Sequence, residues 1–290
     1  MSGMGDASTA DKANASPRVA LALGGGSARG LAHAVVLEAF DELGVKPVVI
    51  AGTSMGAVCG ALYAAGLSAA EMRAGFESQF TSRAQFFKNA ARKLRGNIAT
   101  LWSLRSPGIV DNVSLFEMLL PDALHSDFGS LTIPFLAIAA DFYAIEQVIL
   151  DHGPLIPALA ASCALPTLTH PVVIGDRVLI DGGYINPLPF DVVRDRADIT
   201  VAVDVTGDPQ RRPGVRLPNS LEAATGATQL LFHSITREKL KHTRPDILIR
   251  PKVGAFAAFD YFRIADIFAA AQPAKDDLKR QLSQRLERGV

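Results

Sequence analysis

The sequence lacks the features that mark several large classes of protein. It contains only two cysteines, Cys59 and Cys163, both among small apolar residues, so a disulfide framework is not expected. No CxxC pair or cluster of histidines and cysteines indicates a metal site, and we expect no metal ion or other cofactor. Lys plus Arg and Asp plus Glu both number 29, so the zero net charge does not favour a nucleic-acid partner.

Long apolar segments are also missing. No run of about 18 uncharged apolar residues is present, so a membrane-spanning helix is not expected. Residues 1–17 are rich in Ala, Ser, Asp and Gly, without the apolar segment of a secretory signal. These absences predict a disordered tail over 1–17, a single domain over 18–290 and a cytoplasmic protein.

One stretch has the pattern of a nucleophile elbow. The run 48–51 predicts a buried strand, which ends in Gly52-Thr53-Ser54-Met55-Gly56 and is followed by a helix over 57–65. A sharp strand-to-helix turn pushes a serine hydroxyl out of the fold. Gly52 and Gly56 would then stand where a Cβ atom would collide. The alternative interpretation is a glycine-rich turn in which Ser54 only caps the helix.

A second glycine-rich segment, 24–30, lies between a predicted strand at 18–23 and a predicted helix that ends at Gly44. Such a loop aims free backbone amides at a negative group. A nucleotide P-loop would need Lys after Gly30, where Leu31 stands, and a dinucleotide fingerprint would need glycine in place of Arg29.

The remaining interpretation of this loop is an oxyanion hole formed by the amides of Gly25, Gly26 and Ser27. It fits the elbow, because adjacent parallel strands place their following loops on one edge of a sheet. Arg29 is either a surface charge or a brace for the loop.

Asp181 is the clearest acidic candidate. It follows the predicted strand Val178-Leu179-Ile180 and precedes Gly182 and Gly183, which allow another loop to approach closely. The alternative is an ordinary turn aspartate, a common use of Asp-Gly.

A serine hydroxyl needs a base, and the sequence offers no obvious histidine. In the chain order of α/β-hydrolases the histidine follows the acid, and only His233 and His242 follow Asp181. Both belong to a predicted helix over 219–241 or its end, whereas a hydrolase histidine usually stands on a loop. A Ser-His-Asp triad with His233 or His242 stays an alternative.

Residues 81–107 contain six basic residues, no acidic residue and several aromatic ones. They are interpreted either as a solvated helix face with core contacts or as a segment that meets lipid headgroups at the membrane surface.

Four motifs in chain order carry a resemblance: the glycine loop 24–30, the elbow 52–56, the Ala161-Ser162…Pro166 corner and Asp181-Gly182-Gly183. Together they resemble the bacterial cytoplasmic branch of the patatin-like phospholipase family. The resemblance implies a three-layer α/β/α sandwich with a mostly parallel central sheet. It also implies a Ser–Asp dyad in place of a triad.

The roles implied by the resemblance follow the motifs. Ser54 would be the nucleophile and Asp181 the general base, with Gly25, Gly26 and Ser27 as the oxyanion hole. The supporting residues would be Arg29, Gly52, Gly56 and Gly182. Ser27 departs from the family, whose loop more commonly has glycine at this position.

The resemblance predicts a serine acyl-ester hydrolase that acts on lysophospholipids, phospholipids or other fatty-acyl esters through an acyl-enzyme. Its rivals are an esterase with the histidine triad, a non-catalytic member that binds a lipid or a partner protein, and a nucleotide-binding protein that uses the glycine loop.

Overall fold

The computed structural model describes residues 16–80, 82, 111–166, 168–208 and 217–288. Most of the expected tail 1–17 and nearly all of the basic segment 81–107 lie outside these residues, so both interpretations stay predictions.

A mixed sheet of eight strands forms the centre of the described part of the chain. The strands are β1 Val19–Leu23, β2 Val49–Thr53, β3 Phe135–Asp141, β4 Glu146–Leu150, β5 Val172–Ile174, β6 Arg177–Asp181, β7 Ile199–Val203 and β8 Ile247–Ile249. Their order is β5-β6-β3-β2-β1-β7-β8, with β4 paired to the free edge of β3. Within the sheet, the neighbouring strands β3, β2, β1, β7 and β8 run parallel to one another, whereas β4 and β6 are antiparallel to β3.

Helices cover both faces of this sheet. They are α1 Ala32–Leu43, α2 Met55–Ala64, α3 Ala69–Phe80, α4 Asn112–Leu119, α5 Leu155–Ser162, α6 Phe190–Val193, α7 Ser220–His242 and α8 Ile264–Arg288. A turn of 3₁₀ helix, Ser27–Leu31, leads from the glycine loop into α1.

The alternation of side chains along the strands separates two apolar cores. In β1, Leu21 and Leu23 face the larger core, which includes residues of α1, α2, α3, α5 and α8. Ala20 and Ala22 face the smaller core with Leu188 and Phe190. Because successive strand residues point to opposite faces, a fully buried strand needs a helical layer on each side. The three-layer α/β/α sandwich expected from the sequence is confirmed.

The arrangement around β3 positions the site. Ile138 of β3 pairs with Thr53, the last residue of β2, and the next residue, Ala139, pairs with Asp181, the last residue of β6. The opposite edge of β3 is taken by β4. Strands β2 and β6 therefore share one edge of β3 and meet there end to end.

Two local expectations were wrong. An interior proline predicts an interruption of the C-terminal helix at Pro273, but α8 continues through it. Burial of Ala271, Leu278 and neighbouring residues in the larger core offsets the cost of about 3 kcal/mol that an interior proline carries. Ser114-Leu115-Phe116-Glu117 has the pattern of a capping box with Ser114 as the cap. The cap is instead Asp111, whose carboxylate accepts from Ser114 N at 3.1 Å, so the helix is capped three residues earlier.

The close crossing of α2 over the glycine loop generates a test. A Cβ at Gly56 would lie 2.2 Å from Leu23 O and 2.6 Å from Gly24 O, both backbone atoms. Gly56→Ala is therefore expected to lower the free energy of unfolding by about 3 kcal/mol in urea denaturation. Gly75→Ala is the matched control, because no atom lies within 4 Å of its Cβ position in α3. That change should raise stability by about 0.5–1 kcal/mol, and equal effects of the two substitutions would contradict the packing argument.

Candidate active site

Ser54 stands on the turn between β2 and α2, as the motif predicts. Its backbone is at φ 54° and ψ −126°, a conformation that L-residues rarely adopt, and its side chain is buried. A Cβ at Gly52 would lie 2.5 Å from Ala57 Cα, so strand and helix need glycine here. Although Ser54 occupies the N-cap position of α2, its hydroxyl makes no capping hydrogen bond. The hydroxyl is thus free for another partner.

That partner is the carboxylate of Asp181. The Ser54 hydroxyl lies close enough to the carboxylate to lower its pKa, and Gly183 N–H donates to Asp181 Oδ1 at 2.7 Å. Only 2% of Asp181 is exposed. Burial raises the pKa of Asp181 to about 6, against the lowering effect of the hydrogen bonds from Ser54 and Gly183. A Cβ at Gly182 would lie 2.2 Å from Ile138 O, which explains why glycine follows the acid.

Ser162, at the end of α5, ties the elbow to β3. Its hydroxyl accepts from Ser54 N at 3.0 Å and donates to Ile138 O at 2.6 Å. The next residue, Cys163, also lies against the Ser54 hydroxyl, and burial raises the pKa of its thiol well above the ordinary value. The sequence marked this small-residue corner only as a motif, because side-chain length and polarity do not indicate which backbone group Ser162 meets.

The glycine loop faces the same edge of the sheet, and His33 holds one of its peptide groups. His33 Nε2 lies 2.8 Å from Gly24 O, and since a carbonyl only accepts, Nε2 carries the proton. Burial lowers the pKa of His33 to about 4, so the ring is neutral near pH 7. Gly25 N–H donates to Pro187 O at 2.9 Å. Both ends of the Gly24–Gly25 peptide group are thereby fixed.

The next two amides of the loop are available. Among the described residues, neither Gly26 N–H nor Ser27 N–H has a hydrogen-bond partner. Gly25 contributes in another way, because a Cβ there would lie 3.3 Å from Ser54 Cβ. Ser27 has φ 50°, a left-handed conformation that glycine would adopt without strain. This conformation fits the glycine that the family more commonly has at this position.

Arg29 braces this loop and is not a surface charge. It is 6% exposed, and its Nη1 donates to Phe256 O at 3.1 Å. The neighbouring Ala28 N–H donates to Ala258 O at 3.0 Å. Burial lowers the pKa of Arg29 to about 10, which leaves it protonated near pH 7. The glycine loop is thus attached to the segment that precedes α8.

Phe232 of α7 covers the site, and no sequence pattern indicated it. A Cβ at Gly183 would lie 2.1 Å from its ring, and a Cβ at Gly25 would lie 3.7 Å from it. Its ring meets that of Tyr184 edge to face, with centroids 5.6 Å apart. Phe232 therefore packs against both the glycine loop and the loop after Asp181.

The two candidate histidines have other partners. His233 Nε2 donates to Gly207 O at 2.6 Å, and the exposed His242 lies 3.4 Å from a Glu238 carboxylate oxygen. Within the described part of the chain, no hydrogen bond joins either histidine to Ser54 or Asp181.

The described residues lack two further features. They contain no group of three or more His, Cys, Asp or Glu side chains placed to hold a metal ion. None of their helices combines the length and apolar character needed to cross a bilayer.

Burial of Asp181 predicts a pH-dependent cost to stability. Its folded pKa of about 6 exceeds the unfolded value of about 3.9, so the native state holds the proton more tightly between these values. Wild-type stability should therefore fall, relative to Asp181→Asn, as pH rises from 4 to 6 and stay level above. The total change should reach about 3 kcal/mol in urea denaturation.

Asp198→Asn is the control for this experiment. The backbone and side chain of Arg18 lower the pKa of the exposed Asp198, so its difference from wild type should move in the opposite direction with pH. A difference for Asp181→Asn that does not change between pH 4 and 7 would contradict the burial argument.

The sequence of the chain is similar to those of several known proteins. The family model of the patatin-like phospholipases matches residues 21–194, more than half of the chain. An uncharacterized NTE family protein of Mycobacterium tuberculosis is 39% identical over 197 residues, which cover 68% of this chain and 51% of that protein. The rat patatin-like phospholipase domain-containing protein 7 is 34% identical over 198 residues, which cover 64% of this chain and 13% of that protein.

The aligned region thus spans about half, or less, of the curated relatives it matches. Among solved structures, VipD from Legionella pneumophila superposes with a TM-score of 0.49 at 12% identity, over 91% of this chain and 67% of that one. With a family model that covers the glycine loop, the elbow and Asp181, the chain belongs to the patatin-like phospholipase family.

Proposed function

We propose that the protein is a serine acyl-ester hydrolase that uses Ser54 and Asp181 as a catalytic dyad. The observation that carries the proposal is the buried Ser54, held on a strained turn with its hydroxyl beside the Asp181 carboxylate. Membership of the patatin-like phospholipase family supports a lipid acyl ester as substrate. The substrate class proposed is lysophospholipids, phospholipids and other fatty-acyl esters.

The reaction begins when Asp181 accepts the Ser54 proton while Oγ attacks the ester carbonyl. Negative charge develops on the carbonyl oxygen, and the unpaired amides of Gly26 and Ser27 donate to it. Each such donor contributes about 3 kcal/mol to transition-state stabilisation. The alcohol leaves with the proton from Asp181, and a water molecule, deprotonated by Asp181, then hydrolyses the acyl-enzyme.

Burial supports the role of a carboxylate as the base. A pKa of about 6 makes Asp181 a stronger base than an exposed aspartate and still leaves it ionised at neutral pH. Phe232 packs against the loop after Asp181, and the low exposure of the carboxylate strengthens the electrostatic interactions within the site. The N-terminus of α2 points its positive dipole end at Ser54 and favours the developing oxyanion.

The proposed oxyanion hole has two amide donors, one fewer than the set Gly25, Gly26 and Ser27 expected from the sequence. Because the Gly25 amide already donates to Pro187 O, the donors are assigned to Gly26 and Ser27. Gly25 instead provides the space that lets the loop approach Ser54.

The triad alternative receives less support, since the described hydrogen bonds of His233 and His242 lead away from the dyad. The non-catalytic alternative predicts a site without a functional nucleophile. The intact contact between Ser54 and Asp181 favours the enzyme.

Substitution of the dyad tests the proposal. Ser54→Ala and Asp181→Asn should each lower kcat/KM by about a thousandfold or more, because each removes a group that acts in every turnover. The assays are hydrolysis of 4-nitrophenyl butyrate and release of fatty acid from lysophosphatidylcholine. A fluorophosphonate probe should label the wild type and not Ser54→Ala. Ser78→Ala, with an exposed serine in α3, is the control. Loss of activity in His233→Leu or His242→Leu with the fold intact would favour the triad instead.

His33 provides a test of the oxyanion loop. His33→Leu removes the donor to Gly24 O and should lower kcat about 10- to 100-fold with little change in KM, because the loop amides move relative to the transition state. His33→Gln places an amide N–H near the Nε2 position and should restore most of the rate.

The control for His33 is Tyr63→Phe. It removes a buried hydrogen bond of 2.6 Å to Asp41, near the far end of α2, and should lower the melting temperature without changing kcat. If His33→Gln were as slow as His33→Leu, the hydrogen bond would not be the cause of the loss.

A further inference from the structure

Three large apolar side chains are exposed together at the turn between β3 and β4. Phe142 is 53% exposed, Tyr143 77% and Ile145 84%. We call these three residues the apolar tip. The rings of Phe142 and Tyr143 pack edge to face, with centroids 5.1 Å apart. The exposed Val173 extends this surface, since it pairs with Val178, whose carbonyl accepts from Phe142 N–H.

The backbone of the tip is held in place and locally strained. Asp141 Oδ1 accepts from Tyr143 N at 3.1 Å and from Ala144 N at 3.0 Å, and Asp141 O accepts from Ile145 N at 3.1 Å. Ile145 has φ 56°, a left-handed conformation that glycine or asparagine normally occupies and that a β-branched residue rarely adopts. Because its side chain stays exposed, packing within the described chain does not offset this strain.

The tip lies at the same end of the sheet as the candidate active site, namely at the carboxyl ends of the parallel strands. Thr53 pairs with Ile138, and β3 continues past that point to Asp141. Phe142 therefore lies roughly 10 Å beyond the level of Ser54, at about 3.3 Å per strand residue. A flat surface that meets this edge of the molecule would touch the tip before it reached the site.

We propose that the apolar tip docks the protein onto a lipid surface with neutral or zwitterionic headgroups and so brings Ser54 to its substrate. The inference rests on the proposed lipid hydrolase function. Insertion of a strained, exposed isoleucine beside two aromatic rings gives the apolar contacts that the described part of the chain does not supply.

The size of the tip favours a lipid surface over a second copy of the chain. A whole aromatic side chain offers roughly 150–250 Å², so the three exposed side chains together offer roughly 400 Å². A stable protein interface needs roughly 800 Å² from each partner. A membrane imposes no such minimum, because each inserted side chain transfers to the lipid on its own.

The charges around the tip indicate the headgroup class. Arg177 Nη1 lies 2.7 Å from Glu146 Oε1 and 3.7 Å from Asp141 Oδ2, so its charge is already paired. Asp176 adds a further negative charge in the neighbouring hairpin. Over the described segments 141–146 and 176–177 three carboxylates outnumber one guanidinium, so the charge there is negative and anionic lipids should weaken docking.

Vesicle flotation of the full chain tests the proposal. The double variant Phe142→Ser/Tyr143→Ser should reduce partitioning onto phosphatidylcholine vesicles about tenfold, and Ile145→Asn should reduce it about threefold. Ile145→Asn should leave the melting temperature unchanged or raise it, because asparagine tolerates φ 56°. Val48→Asn, at the opposite end of the sheet, is the control and should leave partitioning unchanged.

Weaker partitioning of Ile145→Asn without a lower melting temperature separates a docking role of Ile145 from a structural one. Three results would overturn the proposal: no wild-type partitioning, unchanged partitioning of Ile145→Asn, or tighter binding to phosphatidylglycerol vesicles. A concentration-dependent dimer that the same substitutions abolish would point to a second copy as the occupant. If the double variant does not fold, the partitioning of Ile145→Asn alone tests the proposal.

A kinetic experiment separates the failure of docking from the failure of the proposed function. The tip variants should keep kcat/KM for soluble 4-nitrophenyl butyrate within about twofold and lose about tenfold on vesicle-bound substrate. Ser54→Ala should keep its partitioning while it loses activity. If Ser54→Ala stays active, the proposed function fails and the flotation result still stands on its own.

Discussion

The end-to-end meeting of β2 and β6 on one edge of β3 is the constraint on which the site depends. β2 ends at Thr53 opposite Ile138, and β6 arrives from the opposite direction to end at Asp181 opposite Ala139. Backbone pairing to a single strand therefore places the residue after β2 against the last residue of β6. Ser162 strengthens this junction, because its hydroxyl bonds both to Ser54 N and to Ile138 O. The glycines around it follow from the same crowding, since Gly182 lies against Ile138 O and Gly56 against Leu23 O.

This crowding also provides the chemistry proposed for the site. Burial at the junction raises the pKa of Asp181 to about 6, so the same desolvation that lowers stability at neutral pH makes the carboxylate a better base. The strained φ of Ser54 keeps its hydroxyl away from the amides of α2 and directs it to the acid. Two further contacts, from His33 and Pro187, orient the first peptide group of the glycine loop, and the next two amides have no hydrogen-bond partner among the described residues. The buried Asp181 and the strained Ser54 thus lower the free energy of unfolding, and burial of the two apolar cores offsets this loss.

The extension of β3 past its pairing with β2 has a second consequence. It carries the apolar tip beyond the catalytic edge, with a strained Ile145 whose side chain remains in solvent. The Ser54 site and the tip therefore belong to one strand and its neighbours. In the proposed function, the rigid hairpin would fix the distance between a lipid surface and the nucleophile.

The sequence by itself determined the order of strands and helices, the elbow at Ser54, the glycine loop and the place of Asp181 at a strand end, because these depend on local periodicity and on glycine next to an apolar strand. It misplaced the helix cap at Asp111 and the effect of Pro273, where local preference competes with packing. It could not show that the Gly25 amide is already bonded, that His33 is a loop anchor or that Phe232 of α7 covers the site. Only the tertiary structure decided these points, because the partner atoms are distant in the chain and meet only when the sheet brings its carboxyl edge together.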